Sequence, residues 1–209
     1  MLLRKDDHVL FFGDSITDAG CREKHNHNDH LGTGYAAVVA AVLSARYPEL
    51  ALKFTNQGFS GNRICDLEKR FQADVIDAKP TVVSILTGIN DTWHRFSRNL
   101  DSPLDQFQAS YRRICTRIRQ ELGARLVVCE PFLLQVSPEQ AGWRADLDPR
   151  IHAVRQMGAE FASAYVPLDG LFAAAACKRP AATWAADGVH PTFAGHGLIA
   201  EAWIQAVCG

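Results

Sequence analysis

At 209 residues, with 47% apolar and 22% charged side chains, the chain has the size and composition of one globular domain, which excludes a disordered or fibrous protein. Lys and Arg number 22 against 23 Asp and Glu, a formal charge of -1 with no basic block, which argues against a nucleic-acid partner. The N-terminus turns charged at Arg4-Lys5-Asp6-Asp7 and no apolar run approaches the roughly eighteen residues of a membrane span, so a cytoplasmic location without membrane contact is expected.

Five short apolar, β-rich runs recur along the chain: His8 to Phe12, Ala51 to Thr55, Thr81 to Leu86, Arg125 to Cys129 and Tyr165 to Leu168. Helical spacing follows each of them, over Tyr35 to Arg46, Asp66 to Ala78, Leu104 to Leu122, Pro149 to Ala164 and Thr192 to Val207. Strands that alternate with helices and are nearly continuous in apolar residues belong in a parallel sheet covered on both faces. The expected fold is therefore α/β, a three-layer α/β/α sandwich with a mainly parallel five-stranded, flavodoxin-like sheet, and residues 1–209 form a single domain. Ser97 to Pro103 and Leu134 to Asp148 read as loops. Any site belongs at the carboxyl edge of the sheet, where the loops after the strands gather.

The residues at those strand ends carry chemistry. The first strand runs into Gly13-Asp14-Ser15, which delivers a serine to the ligand edge; alone, it would better suit a helix cap or a turn. After the second strand, Ser60-Gly61-Asn62 offers a backbone amide unshielded by a side chain, and after the third, Gly88-Ile89-Asn90-Asp91 offers a side-chain amide. Near the C-terminus, Asp187-Gly188-Val189-His190 places a carboxylate three residues before an imidazole. A serine hydroxyl attacks an ester only with a neutral imidazole in reach and a third group fixing that imidazole's tautomer, and Ser15, His190 and Asp187 supply the three parts. The amides of Ser15 and Gly61 and the side chain of Asn90 would face the oxyanion.

These four blocks, in this order, resemble the SGNH (GDSL) hydrolase family along most of the chain. The resemblance implies a serine esterase with Ser15 as nucleophile, His190 as base, Asp187 completing the triad, and Ser15, Gly61 and Asn90 forming the oxyanion hole. Within the family the chain is similar to bacterial acetylxylan and xylo-oligosaccharide esterases, which share Gly32-Thr33-Gly34-Tyr35 and Trp93 after the Asn-Asp block. That implies a small acetylated oligosaccharide as substrate, and self-association as in comparable carbohydrate esterases. The histidine-rich stretch from Cys21 to His30 and the arginine at Arg63 depart from the pattern where they would reshape the pocket.

Asp14, Arg63, Trp93 and Trp184 are candidate substrate-binding residues, although for Asp14 and Asp91 the favoured role is to hold their turns by bonding loop amides. Trp203 reads as core packing or a subunit contact, and Trp143, in the Leu134 to Asp148 loop, as either core packing or pocket lining. His25, His27, Asp29 and His30 match no familiar metal spacing and read as a solvated loop, so no metal is expected. Gly32 to Ala37 satisfies a dinucleotide motif but follows a loop rather than a strand, so no cofactor is expected. The six scattered cysteines read as reduced and structural. Longer acyl esters, thioesters or lysophospholipids are alternative substrates for the same triad, and a binding module without hydrolysis is the alternative from another class.

Overall fold

The computed structural model describes residues 1–23 and 30–209; His25, His27 and Asp29 lie outside the described residues. Five strands, β1 (His8–Gly13), β2 (Lys53–Gly58), β3 (Val82–Leu86), β4 (Arg125–Cys129) and β5 (Ala164–Val166), pair in parallel in the order β2-β1-β3-β4-β5. This is the expected sandwich. In β1, alternate side chains point to opposite faces. Val9 and Phe11 join a core with α2 (Tyr35–Arg46) and α8 (Phe193–Cys208), while Leu10 and Phe12 join one with α3 (Ile64–Phe71) and α5 (Leu104–Arg117). On the first side Phe11 meets Tyr35 edge-on at 5.6 Å and Trp203 at 5.6 Å, and the Trp203 indole N–H donates to Ser84 Oγ at 2.9 Å. Trp203 is thus fully buried and packs inside the fold. Each such side chain withdrawn from water stabilises the fold by about 1.5–3 kcal/mol.

Several elements differ from the expected ones. β2 is displaced toward the C-terminus and includes Asn56, Gln57 and Gly58, because its ladder with β1 pairs Phe11 with Asn56 and Gly13 with Gly58. Buried Asn56 stays in the strand by donating to Thr17 O at 2.7 Å and Leu31 O at 2.9 Å. Helices α4 (Ile89–Arg98) and α7 (Leu168–Ala176) and the short α1 (Ser15–Asp18) were not expected, and α4 takes up the start of the Ser97 to Pro103 loop. Helix α6 spans Arg144–Phe161, beginning ahead of Pro149 and inside the expected Leu134 to Asp148 loop. Its first turns are anchored by charge: Asp146 accepts from Thr92, Arg95 and Arg150, and Arg144 pairs with Asp169. Helices α3 and α5 each run on into a wider π turn, at Gln72–Ile76 and Ile118–Leu122. All six cysteines are free. Among the described residues, no helix is long and apolar enough to cross a membrane.

The chain leaves β1 to build β2 on one side and β3 on the other, which makes the carboxyl end of β1 the switch point of the sheet. Crevices for ligands open at such points. Ser15 stands two residues past Gly13, at this position.

Candidate active site

The turn that presents Ser15 is tight. A Cβ on Gly13 would lie 2.3 Å from Thr17 Oγ1 and 2.5 Å from Leu86 O, so only glycine lets the strand pass directly into α1. Asp14 is fully buried at the N-cap, where Oδ1 accepts from the Ile16 amide at 3.0 Å and Oδ2 has no partner among the described residues. Burial drives its carboxyl up to about 7 against the pull of the Ile16 amide and of His190.

The loop from Trp184 to Thr192 brings the C-terminal block to the serine. An antiparallel bridge pairs Ala185 with Pro191, and the Thr192 amide donates to Trp184 O at 2.8 Å. Within this closed loop Gly188 takes a φ of +82°, and a Cβ there would sit 2.1 Å from Leu134 O. Asp187 Oδ1 accepts from the amides of Val189 at 2.9 Å and His190 at 2.7 Å, leaving Oδ2 to meet His190 Nδ1 at 2.6 Å. His190 Nε2 in turn lies 2.9 Å from Ser15 Oγ. With the ring proton on Nδ1 donating to Asp187, Nε2 is free to accept the Ser15 hydroxyl proton. Partial burial works against a charge on Asp187, yet the ring and two amides of its own loop hold its carboxyl below the usual range. The carboxylate therefore stays charged beside the imidazole.

Four side chains fix the loop that carries Gly61. Asp18, at the end of α1, accepts from the Ser60 amide at 3.2 Å and the Ser60 hydroxyl at 2.8 Å. Asn90 Nδ2 donates to Asn62 O at 3.1 Å, and Asp91 Oδ2 accepts from the Ile64 amide at 3.1 Å while Oδ1 accepts from Ser102 at 2.8 Å. Arg70 completes the clamp by donating to Asn62 Oδ1, Gln57 O and Gly13 O. Gly61 itself has a φ of +80°, and a Cβ on it would find nothing nearer than His94 Cε1 at 4.0 Å, so its backbone faces open space. That space is a cleft of about 420 Å³, lined by Ser15, Gly61, Asn90, Trp93, Arg98 and His190 among others. Burial, with Arg98 and Arg63 nearby, lowers the pKa of His94 on the same wall.

The structure thus brings together Ser15, Gly61, Asn90, Asp187 and His190. Of the candidate binding residues only Trp93 lines this cleft, its ring 5.4 Å from that of His190 and 5.7 Å from buried Trp143, which Phe96 covers at 5.9 Å. The other three lie elsewhere. Asp14 is buried beneath Ser15, Arg63 donates to Asp101 O at the start of α3, and Trp184 packs against the core and lines neither cleft that meets at Ser15. Sequence reasoning missed the face of α4. Asn90, Trp93, His94, Ser97 and Arg98 recur at helical spacing and all line the cleft, a pattern that would have revealed both the helix and its role. It also missed Asp18 and Arg70, whose positioning contacts cross between elements and leave no local signal.

A serine, an imidazole and a carboxylate joined by hydrogen bonds at the switch point of a parallel α/β/α sandwich define a class, the carboxylic ester hydrolases of SGNH fold. The chain belongs to the GDSL-like lipase/acylhydrolase family, whose model matches residues 11–198. An acetylxylan esterase of Geobacillus stearothermophilus is 34% identical over 213 aligned residues, covering 99% of this chain and 96% of the relative. The crystal structure of Axe2, an acetylxylan esterase from the same organism, is similar with a TM-score of 0.91 at 33% identity, over 100% of this chain and 97% of that one. LAE5, an α/β hydrolase enzyme from the metagenome of Lake Arreo, Spain, has a TM-score of 0.89 at 30% identity, over 99% and 97% of the two chains. Crystal structures of Axe2 include two variants described as catalytic mutants, in which a serine and an aspartate are replaced by alanine.

Proposed function

We propose that this protein removes acetyl groups from small acetylated carbohydrates of the xylo-oligosaccharide type, through an acyl-enzyme on Ser15. The observation that carries the reading is the continuous chain from Ser15 Oγ through His190 to Asp187, at 2.9 and 2.6 Å. His190 Nε2 takes the Ser15 proton as Oγ attacks the acetyl carbon, and Asp187 holds the Nδ1 proton and stabilises the imidazolium that forms. The developing oxyanion is met by the amides of Ser15 and Gly61 and by Asn90 Nδ2, each such donor lowering the barrier by about 2.7–4 kcal/mol. His190 then returns its proton to the departing sugar oxygen, and a water activated by the same nitrogen releases acetate. In this reading residues 1–209 work as one domain, since the triad joins the first strand to the last loop.

Two features support an acetylated sugar over a long acyl chain. Beside Trp93, the side chains that line the cleft with Gly61 are those of Ser15, Ser60, Asn90, His94, Ser97, Arg98 and His190, which do not build the aliphatic channel a long acyl chain needs. The similar acetylxylan esterases share the family and nearly the full length of the chain. Initial rates on an acetylated xylo-oligosaccharide, p-nitrophenyl acetate, p-nitrophenyl octanoate and an acyl-CoA test the proposal. The expected result is the highest kcat/KM on the acetylated sugar. Preference for octanoate or the thioester would leave the triad standing and overturn the substrate.

A further inference from the structure

A second cleft, of about 340 Å³, opens at the same serine and shares only Ser15 and His190 with the first. It contains neither Gly61 nor Asn90. Its wall includes Thr33, Pro191, Phe193 and His196. Two of these side chains are unusual for their positions.

Phe193 is the first residue of α8 and is 88% exposed, the most exposed of the large apolar side chains among the described residues. An aromatic ring left in water contributes nothing to the core, and its flat face is available to an amphipathic ligand. His196 lies one turn further along α8 and is half-buried. Its Nδ1 accepts from the Tyr35 amide at 3.2 Å, standing in for the side-chain cap that Gly34 cannot provide to α2. Gly34 is required for that approach, because a Cβ there would lie 2.8 Å from His196 Cε1. The accepting Nδ1 places the ring proton on Nε2, and among the described residues no protein group accepts it. Burial, with His190 nearby, lowers the pKa of His196 to about 4, so the ring stays neutral and keeps one fixed donor.

We propose that this second cleft is the subsite for the sugar that leaves, with Phe193 stacking on the pyranose face and His196 Nε2–H donating to a ring hydroxyl. The inference rests on the acetyl-sugar reading above. It divides the labour around Ser15. The carbonyl oxygen turns toward Gly61 and Asn90 in the first cleft, while the departing oxygen stays against His190 Nε2, from which Pro191, Phe193 and His196 continue along the chain.

The test compares an acetylated methyl xyloside with ethyl acetate, whose leaving group has no ring to stack. In Phe193→Ala the ratio of kcat/KM values, xyloside over ethyl acetate, is expected to fall about five- to tenfold, chiefly through KM, as the apolar contact is lost. Phe193→Trp is expected to restore it. His196→Ala, which removes the donor, is expected to lower the ratio as well, with a thermal melt confirming the fold. An unchanged ratio in Phe193→Ala or in a folded His196→Ala overturns the subsite. A wild type that does not prefer the xyloside contradicts the proposed function instead, so the two failures are distinguishable.

Discussion

Replacing Asp14 by asparagine is expected to make the protein more stable in alkaline solution than in acid, relative to the wild type. Asp14 has an ordinary carboxyl pKa of 3.8 when unfolded and about 7 when folded, because burial penalises its charge and Oδ2 has no partner among the described residues. A group that binds its proton more tightly in the folded state contributes stability that is complete below 3.8 and is lost as the pH rises through about 7. The gap of about three units corresponds to on the order of 4 kcal/mol at about 1.4 kcal/mol per unit. About two of those units fall between pH 5 and neutrality, or roughly 2–3 kcal/mol. Asparagine has nearly the shape of the protonated acid and keeps an oxygen for the Ile16 amide, yet it does not titrate. Thermal melts of both proteins at about pH 5 and pH 8.5 should therefore show the variant's Tm gaining about 5–10 °C on the wild type between the two buffers. A Tm difference that is the same at both pH values would mean that Asp14 does not change its protonation on folding, contrary to its raised pKa.

Two further substitutions test the arrangement around Ser15. Asn90→Ala is expected to lower kcat about 10²–10³-fold with a smaller change in KM, because an oxyanion donor acts mainly in the transition state; steady-state kinetics on the acetylated sugar would show a KM-only effect if Asn90 merely binds substrate. Gly188→Ala forces a side chain into a φ of +82° and against Leu134 O, so a loss of about 1–3 kcal/mol or more, seen as a lowered Tm, should accompany a fall in kcat as Asp187 and His190 lose their loop geometry.

The sheet and the residues at its carboxyl edge were legible in sequence because both leave local signals. Parallel strands buried on two faces appear as continuous apolar runs, and β4 at Arg125–Cys129 has the expected ends. The blocks containing Ser15, Gly61, Asn90 and His190 follow strands or close the final loop, so their convergence followed once a parallel sheet was inferred. What escaped was structure that polar residues hold in place. The C-terminal half of β2 is Asn56-Gln57-Gly58, kept in the ladder by side-chain bonds that reach Thr17 and Leu31. Helix α4 directs much of its pattern at a cleft instead of at the core, so a search for an apolar stripe passes over it. Helix α6 starts ahead of Pro149 because Asp146 and Arg144 are tied to Thr92, Arg95 and Asp169, partners that no local rule connects. Trp184 and Arg63 lie close in sequence to site residues, but that proximity did not carry their side chains into the clefts.

Whether Ser15 is the nucleophile is decided by acetate release from an acetylated xylo-oligosaccharide, measured on the wild type and on Ser15→Ala with a melt of each. Ser15→Ala is expected to lose at least about 10⁴-fold in kcat with an unchanged melt, as for removal of a triad member. Turnover retained in a folded Ser15→Ala would mean that Ser15 is not the nucleophile.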